Sequence, residues 1–171
     1  MTSIISPSIS LILLVGQVYS QPSSLPMAKS WATASHLAPF FFANELVMGK
    51  TEGRGKDWHG HVTAVTVAPP YRRLGLAKKM MRLLEHASEA QDAFFVDLFV
   101  RSSNALAIDM YRSFGYVVYR RVVDYYSSSK GPNEDAFDMR IPLKRDVDKE
   151  SIHGHGEDNR IEADAFPDYS I

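Results

Sequence analysis

A chain of 171 residues, 45% of them hydrophobic, carries enough apolar material for one domain with a proper core and not for two. Its formal charge of -1 speaks against a dedicated nucleic-acid binder, and the absence of cysteine excludes disulfides, thiolate nucleophiles and cysteine-based zinc frameworks together. The charge is unevenly spread: residues 144–171 hold eight acidic and four basic side chains, which leaves residues 1–143 at +3 and mildly suited to a polyanionic ligand.

The chain opens on an apolar, serine-bearing stretch in which Leu11-Ile12-Leu13-Leu14-Val15 has the look of a signal-peptide core, with Val18-Tyr19-Ser20 as a passable cleavage site. No lysine or arginine precedes it, and the run is too short to span a bilayer, so the reading goes against a working signal. Residues 21–35, rich in serine, alanine and proline, read as linker, and Phe40-Phe41-Phe42 as either a strand or a buried hook. Residues 1–44 are therefore expected to be a divergent, poorly ordered segment.

From Glu45 the pattern becomes regular. Residues 45–50 read as a strand, 51–58 as a polar hairpin loop, and 61–67 as a strand alternating at period two, which Pro69-Pro70 stops because proline offers no N–H. Leu74, Ala77, Met80, Met81, Leu84 and Ala87 recur at helical spacing and predict a helix over 74–91. The nearly continuous apolar run 94–100 is a strand covered on both faces, so the unit is strand, helix, parallel strand with a right-handed crossover. Ser102-Ser103-Asn104 can cap a second helix with Ala107, Met110, Tyr111 and Phe114 on one face and Gly115 at its end. A strand over 116–126, a turn around Gly131-Pro132-Asn133 and a hairpin partner over 136–143 complete a domain spanning 45–143. Residues 144–171, charged and poor in apolar side chains, are expected to form a disordered or loosely docked tail, whose His153 and His155 do not amount to a metal site.

The chemistry concentrates in Arg72-Arg73-Leu74-Gly75-Leu76-Ala77. A helix beginning here leaves its first N–H groups without partners, Gly75 lets a ligand approach them, and Arg72 and Arg73 suit an anion, most naturally a pyrophosphate. An ordinary strand-to-helix turn with a glycine and two surface arginines has the same pattern, so both readings stand on the residues alone. The spacing is neither a P-loop nor a three-glycine dinucleotide fingerprint.

Arg72-x-x-Gly75-x-Ala77 after a strand resembles the acetyl-CoA signature of the GNAT acetyltransferases. Trp58-His59-Gly60-His61-Val62-Thr63-Ala64, the run from Phe94 to Arg101, and Tyr125-Tyr126-Ser127 resemble one branch of that superfamily, the catalytic subunits of NatB-type N-terminal acetyltransferases. The resemblance runs from about Met48 to about Ile152. It implies an α/β GNAT fold: a mixed, mostly antiparallel central sheet with a splayed parallel strand pair and helices on both faces. It also implies a cytoplasmic enzyme that moves acetyl from acetyl-CoA, without a metal, to the α-amino group of protein N-termini beginning Met-Asp, Met-Glu, Met-Asn or Met-Gln. The implied partners are a ribosome-associated auxiliary subunit and the substrate N-termini, with no membrane and no direct nucleic-acid contact. In such proteins the region before Met48 holds a first strand, two helices with their loop, and a second strand. Nothing in residues 1–47 matches that pattern, which is expected to reflect a divergent first exon or an imperfect gene model. Two alternatives follow: a chain that binds acetyl-CoA without catalysing because it cannot dock its partner, or a GNAT enzyme acting on lysine or small amines.

Acetyl transfer to an amine requires an aimed neutral amine, a donor for the oxyanion and a proton for the departing thiolate, and no nucleophilic residue. His61 is the candidate base, because histidine titrates near neutral pH and this one begins the strand at the expected cleft; a surface histidine at a strand start would look the same. Tyr111 matches the tyrosine that the resemblance puts near the sulfur, and is also a fitting core residue of an amphipathic helix. Asn104 either bonds the pantetheine or caps its helix. The cofactor-binding expectation comprises the backbone of Val65 and Val67, the signature residues Arg72, Arg73, Gly75, Leu76 and Ala77, and Asn104 and Tyr111. The substrate-binding expectation comprises His61, Thr63, Tyr125 and Tyr126; strand alternation presents one tyrosine to each sheet face, which ordinary packing would also explain, and the resemblance implies that they fix the substrate's first residues and that Tyr126 relays a proton.

Overall fold

The computed structural model describes residues 10–16, 45–129, 131–153 and 156–163. They form one seven-stranded mixed sheet from β1 (Ser10–Gly16), β2 (Glu45–Glu52), β3 (His59–Val67), β4 (Phe95–Arg101), β5 (Val117–Tyr126), β6 (Glu134–Pro142) and β7 (Arg160–Glu162), with helices α1 (Leu76–Ala90) and α2 (Ala105–Phe114). The spatial order is β1-β2-β3-β4-β6-β5-β7. Neighbours are antiparallel except β3 with β4 and β5 with β7, the first being the crossover pair that α1 connects. None of the described helices is long and apolar enough to cross a membrane.

Two stretches depart from the sequence expectation. Ser10–Gly16, within the segment expected to be poorly ordered, is a strand that pairs antiparallel along the whole of Glu45–Thr51, so the run with the look of a signal core occupies the first-strand position. The other readings made for residues 1–44 lie outside the described residues. The expected loose tail also has structure up to residue 163. Asp146 accepts the N–H groups of Glu150 at 2.9 Å and Ser151 at 3.0 Å, closing a 3₁₀ turn, and β7 adds parallel to the edge of β5. Arg121 donates its N–H to Asn159 and Gly156 donates to Tyr119. Backbone hydrogen bonds and a buried carboxylate hold this segment, not apolar burial, which is why its composition gives no sign of it.

α1 buries Met80, Met81 and Leu84 of the expected stripe, but also Ser88 and Glu85, a charged residue whose type alone reads as solvent-facing, while Leu74 lies ahead of the helix and is exposed. It begins at Leu76, two residues later than expected, because Gly75 takes a left-handed conformation at the cap. α2 begins on Asn104, whose Oδ1 accepts the Ala107 N–H at 3.2 Å, and ends on Gly115, left-handed at φ 106°. Both helices share one apolar cluster with Val62, Val96, Leu98, Val100, Phe137 and Met139, so among the described residues they cover the same sheet face. Glu85 is buried but satisfied, receiving Arg82 at 2.7 Å and the Tyr116 hydroxyl at 3.2 Å, and Arg82 also donates to the Phe114 carbonyl. That chain of contacts fixes the end of α2 against α1.

Two glycines set how closely α1 lies on the sheet. A Cβ on Gly60 would stand 2.2 Å from the Ser88 hydroxyl oxygen, and one on Gly49 would stand 2.6 Å from both the His61 carbonyl oxygen and Leu84. Because α1 is rigid, this close approach at β2 and β3 also determines where its N-terminal mouth opens. Gly60→Ala should therefore cost about 1–3 kcal/mol by overpacking and lower the thermal midpoint. An unchanged midpoint in a melting curve would show that α1 is not seated on this contact.

Candidate functional site

β3 and β4 pair for only four residues, from His59 with Phe95 to Val62 with Leu98, and then part. The next residue of β3, Thr63, is an extra residue in its ladder with β2: Met48 pairs with Ala64 and Gly49 with Val62. Such a bulge bends and re-aims a strand, and here it lies where the parallel pair separates. Beyond it Ala64–Val67 pairs with β2 alone, while Phe99–Arg101 pairs with β6, so the facing edges of β3 and β4 border an opening.

The mouth of α1 lies just past the end of β3. Arg73 (φ 64°) and Gly75 (φ 77°) are both left-handed, a backbone habit that turns N–H groups inward toward an anion. The first helical hydrogen bond runs from Lys79 N–H to the Gly75 carbonyl at 3.1 Å, which leaves the N–H groups of Leu76, Ala77 and Lys78 ahead of the helical ladder. A Cβ built on Gly75 meets nothing within 4 Å, so the approach is open. Arg72 and Arg73 are both exposed at this turn. Arg72 also donates from Nε to the Val67 carbonyl at 3.1 Å, which ties the turn to the end of β3.

On the sheet face opposite the helices, the side chains of β2, β3, β4 and β6 build a buried polar cluster that sequence reading did not anticipate. Asp97 receives His61 Nδ1 at 2.8 Å and lies 3.5 Å from His59 Nε2. Glu52 stands 3.9 Å from His59 and 4.0 Å from His61, and pairs with Lys50 at 2.8 Å. The Nδ1–H of His59 donates to the Asp57 carbonyl, which orients that ring. Glu52, His59 and His61 bring their ligand-type atoms within 4.8 Å of one another, while His61 Nδ1 is hydrogen-bonded to Asp97 and Glu52 is ion-paired with Lys50. Burial pushes the Asp97 carboxyl up, but the charges of His59, His61 and Arg140 and the His61 hydrogen bond outweigh it and bring the pKa down to about 2. Burial lowers the His61 pKa, and the Asp97 hydrogen bond with the charges of Asp97 and Glu52 raises it further, for a net upward displacement. The one clue in the sequence was Asp97 itself, a lone carboxylate inside an apolar strand, where a buried charge needs partners.

An aromatic row continues this face. Phe99 is 5.7 Å from His61 and stacks on Tyr125 at 4.7 Å. Tyr126 does not point cleanly to the other face. Its ring meets Tyr125 edge-on at 5.0 Å, its hydroxyl donates to the Phe99 carbonyl at 3.2 Å, and Arg101 lies over it at 4.2 Å. The cause is a break in β5: Asp124 is left-handed, its N–H captured by Asp135, and the pairing jumps from Val122 to Tyr126. Tyr111 stands with the core cluster on the helix side, 6.0 Å from the Tyr116 ring, and burial raises its hydroxyl pKa. The structure thus brings His61, Tyr125 and Tyr126 together around Phe99, and puts Tyr111 on the opposite face of the sheet. Thr63 is exposed on the bulge. A cavity of about 330 Å³ between Phe95, Tyr119, Arg140 and the turn at Glu150 includes none of the expected site residues.

The Asp97 displacement fixes the sign of an acid effect. A carboxyl held below its unfolded value of 3.8 contributes stability that is present above that pH and is lost as pH falls through about 2. Asp97→Asn should therefore cost about 2 kcal/mol near pH 6, with the gap closing toward pH 2. Denaturant titrations at several pH values would read this, and a constant gap would contradict the ionic account.

Residues 16–116 match the Acetyltransferase (GNAT) family. Over 111 residues the chain is 64% identical to the N-terminal acetyltransferase B complex catalytic subunit naa20 of Schizosaccharomyces pombe, a match covering 65% of this chain and 62% of that protein. It is 50% identical over 139 residues to N-alpha-acetyltransferase 20 of Dictyostelium discoideum, covering 80% of this chain and 78% of the relative. Among solved structures it is similar to Chaetomium thermophilum Naa20 in complex with a bisubstrate analogue, with 45% identity, a TM-score of 0.64, and 69% of each chain covered. With a parallel pair splayed before a glycine-capped basic helix mouth, and relatives of this likeness, the chain belongs to the GNAT acetyltransferase family, in the branch of the NatB catalytic subunits.

Proposed function

We propose that this chain transfers acetyl from acetyl-CoA to the α-amino group of protein N-termini beginning Met-Asp, Met-Glu, Met-Asn or Met-Gln, in the cytoplasm and together with an auxiliary subunit. The observation that carries the reading is the parting of β3 and β4 after Val62 and Leu98, directly in front of the basic mouth of α1. The donor set fits the proposed cosubstrate. The N–H groups of Leu76, Ala77 and Lys78 with Arg72 and Arg73 suit a diphosphate, and the β3 edge around Val65 and Val67 suits an extended amide-bearing arm. When bound, acetyl-CoA supplies a thioester whose carbonyl accepts the amine and whose thiolate leaves.

The chain's residues then have separable tasks. A free α-amine has a pKa of roughly 8, so a base of moderate strength, or a water it polarises, suffices to deliver it neutral. His61 is the candidate for that proton, with Nε2 as its available atom. Tyr111, from the helix side, is the candidate donor to the leaving sulfur. Tyr126, whose hydroxyl reaches the Phe99 carbonyl just past the last β3–β4 pair, is a candidate relay between the two faces. His61, Thr63 and Tyr125 border the face on which the substrate's first residues would lie, and His61 and Thr63 are placed to meet an acidic or amide second side chain. Asn104 serves as helix cap and is the candidate to bond the pantetheine arm.

Two measurements test this reading. The chain, purified with and without an auxiliary subunit, should acetylate a Met-Asp peptide and leave a Ser-Pro peptide untouched; coenzyme binding without turnover, or transfer to lysine, would replace the proposal. Arg73→Glu or Gly75→Glu sets a carboxylate against the diphosphate and should weaken acetyl-CoA binding by roughly a hundredfold or more in calorimetry. An unchanged affinity would remove the helix mouth from the site.

A further inference from the structure

Only one nitrogen of the His61 ring turns to the interior. Nδ1 lies 2.8 Å from Oδ1 of Asp97, and an ionised carboxylate can only accept, so Nδ1 carries the hydrogen. Nε2 is thereby the ring atom left over on a partly exposed side chain, whose ring lies 5.7 Å from Phe99, itself stacked on the half-exposed Tyr125. Asp97 is itself held from several sides. His59 Nε2 stands 3.5 Å from its other oxygen, the His59 ring is fixed by the Asp57 carbonyl and by stacking on Phe95 at 4.8 Å, and Arg140 adds a positive charge from β6. A side chain anchored in this way holds its partner ring in one orientation and one tautomer, as the second group of a histidine–carboxylate pair does.

We propose that Asp97 is a positioning residue that makes His61 a charge-dependent reader of the substrate's second side chain, a role that takes the place of the base role for Nε2 and leaves the α-amine proton to water. With the ring protonated, Nε2–H donates to an aspartate or glutamate carboxylate. With the ring neutral, the Asp97 contact keeps the hydrogen on Nδ1, so Nε2 can only accept: it takes an N–H of asparagine or glutamine and repels a carboxylate. The inference rests on the proposed N-terminal acetyltransferase reading and adds to it a pH-dependent ranking of acidic over amide N-termini.

Among the described residues, the charged and titratable groups around His61 are Lys50 and Glu52 on β2, His59 on β3, Asp97 on β4, Tyr125 on β5, and Asp138 and Arg140 on β6. Burial and Lys50 oppose protonation of the ring, while Asp97 and Glu52 favour it and prevail, so the pKa is raised from its ordinary value. The raised value means that the protonated, carboxylate-reading form is present below about 6.5 and is lost as pH rises through the displaced value.

The test is the ratio of kcat/KM for a Met-Asp peptide to that for a Met-Asn peptide, measured on the chain with its auxiliary subunit between pH 6 and 8.5. Deprotonation of the α-amine is common to both peptides and cancels in the ratio. The wild-type ratio should fall roughly tenfold across that range, the difference between a charge-assisted and a neutral hydrogen bond. In Asp97→Asn the fall should move to lower pH by about one unit or disappear, while acetyl-CoA affinity is kept. A flat wild-type ratio, or an unaltered profile in Asp97→Asn, overturns the proposal. The ¹⁵N shifts of the His61 ring in the full wild-type chain give a second reading that needs neither turnover nor a variant. The Nδ1–H tautomer with a midpoint above 6.5 is expected, and the Nε2–H tautomer overturns the assignment. If neither peptide is acetylated, the activity reading fails, and the ring shifts still decide the role of Asp97.

Discussion

Parallel strands hold each other only where their backbone groups meet, and β3 and β4 meet from His59 to Val62 and no further. Past that point each strand is paired on its outer side alone, β3 with β2 and β4 with β6. The inner edges carry backbone donors and acceptors whose burial without a partner would cost about 1–3 kcal/mol apiece. A fold that keeps such an opening in the middle of its sheet needs water or a ligand with amide groups to satisfy it. The Thr63 bulge starts the separation, and the close seat of α1 on Gly60 and Gly49 puts the helix mouth at its end. The location of the proposed site follows from these backbone constraints before any candidate side chain is considered.

The two faces of the sheet then divide the labour. One face is apolar and carries α1, α2 and Tyr111. The other carries carboxylates, histidines and arginines in a connected network from Glu52 through Asp97 to Arg140 and Asp138. Burying several charges together is costly unless they satisfy one another, and here Asp138 receives Arg120 and Arg140 at 2.9 and 3.0 Å. The aromatic row of His61, Phe99 and Tyr125 borders that network. Tyr126, with its hydroxyl on the Phe99 carbonyl, is the side chain that joins this row to the strand edge where the sheet opens.

Local features of the site were legible in the sequence because local physics dictates them. The spacing of Met80, Met81 and Leu84 gave the inner stripe of α1, Gly115 ended α2, and the turn from Arg72 to Ala77 marked the helix mouth. What depends on register was not legible. The bulge at Thr63 exists because two strands pair out of step, and the partners of Asp97 come from β3 and β6, distant in sequence. The expected alternation of Tyr125 and Tyr126 failed because Asp124 adopts a left-handed conformation captured by Asp135, a contact eleven residues away that composition does not encode. β7 and the turn at Asp146 went unseen for a related reason: backbone bonds hold them, and hydropathy carries no record of those.

In the proposed complex the coenzyme occupies the opening between β3 and β4 with its diphosphate at the mouth of α1. Amide hydrogen exchange on the full chain, with and without coenzyme A, addresses it most directly. Coenzyme should slow exchange at Leu76, Ala77 and Lys78 and along 63–67 of β3, with little change near the cavity at Tyr119 and Glu150. Protection confined to that cavity, or none at the helix mouth, would contradict it.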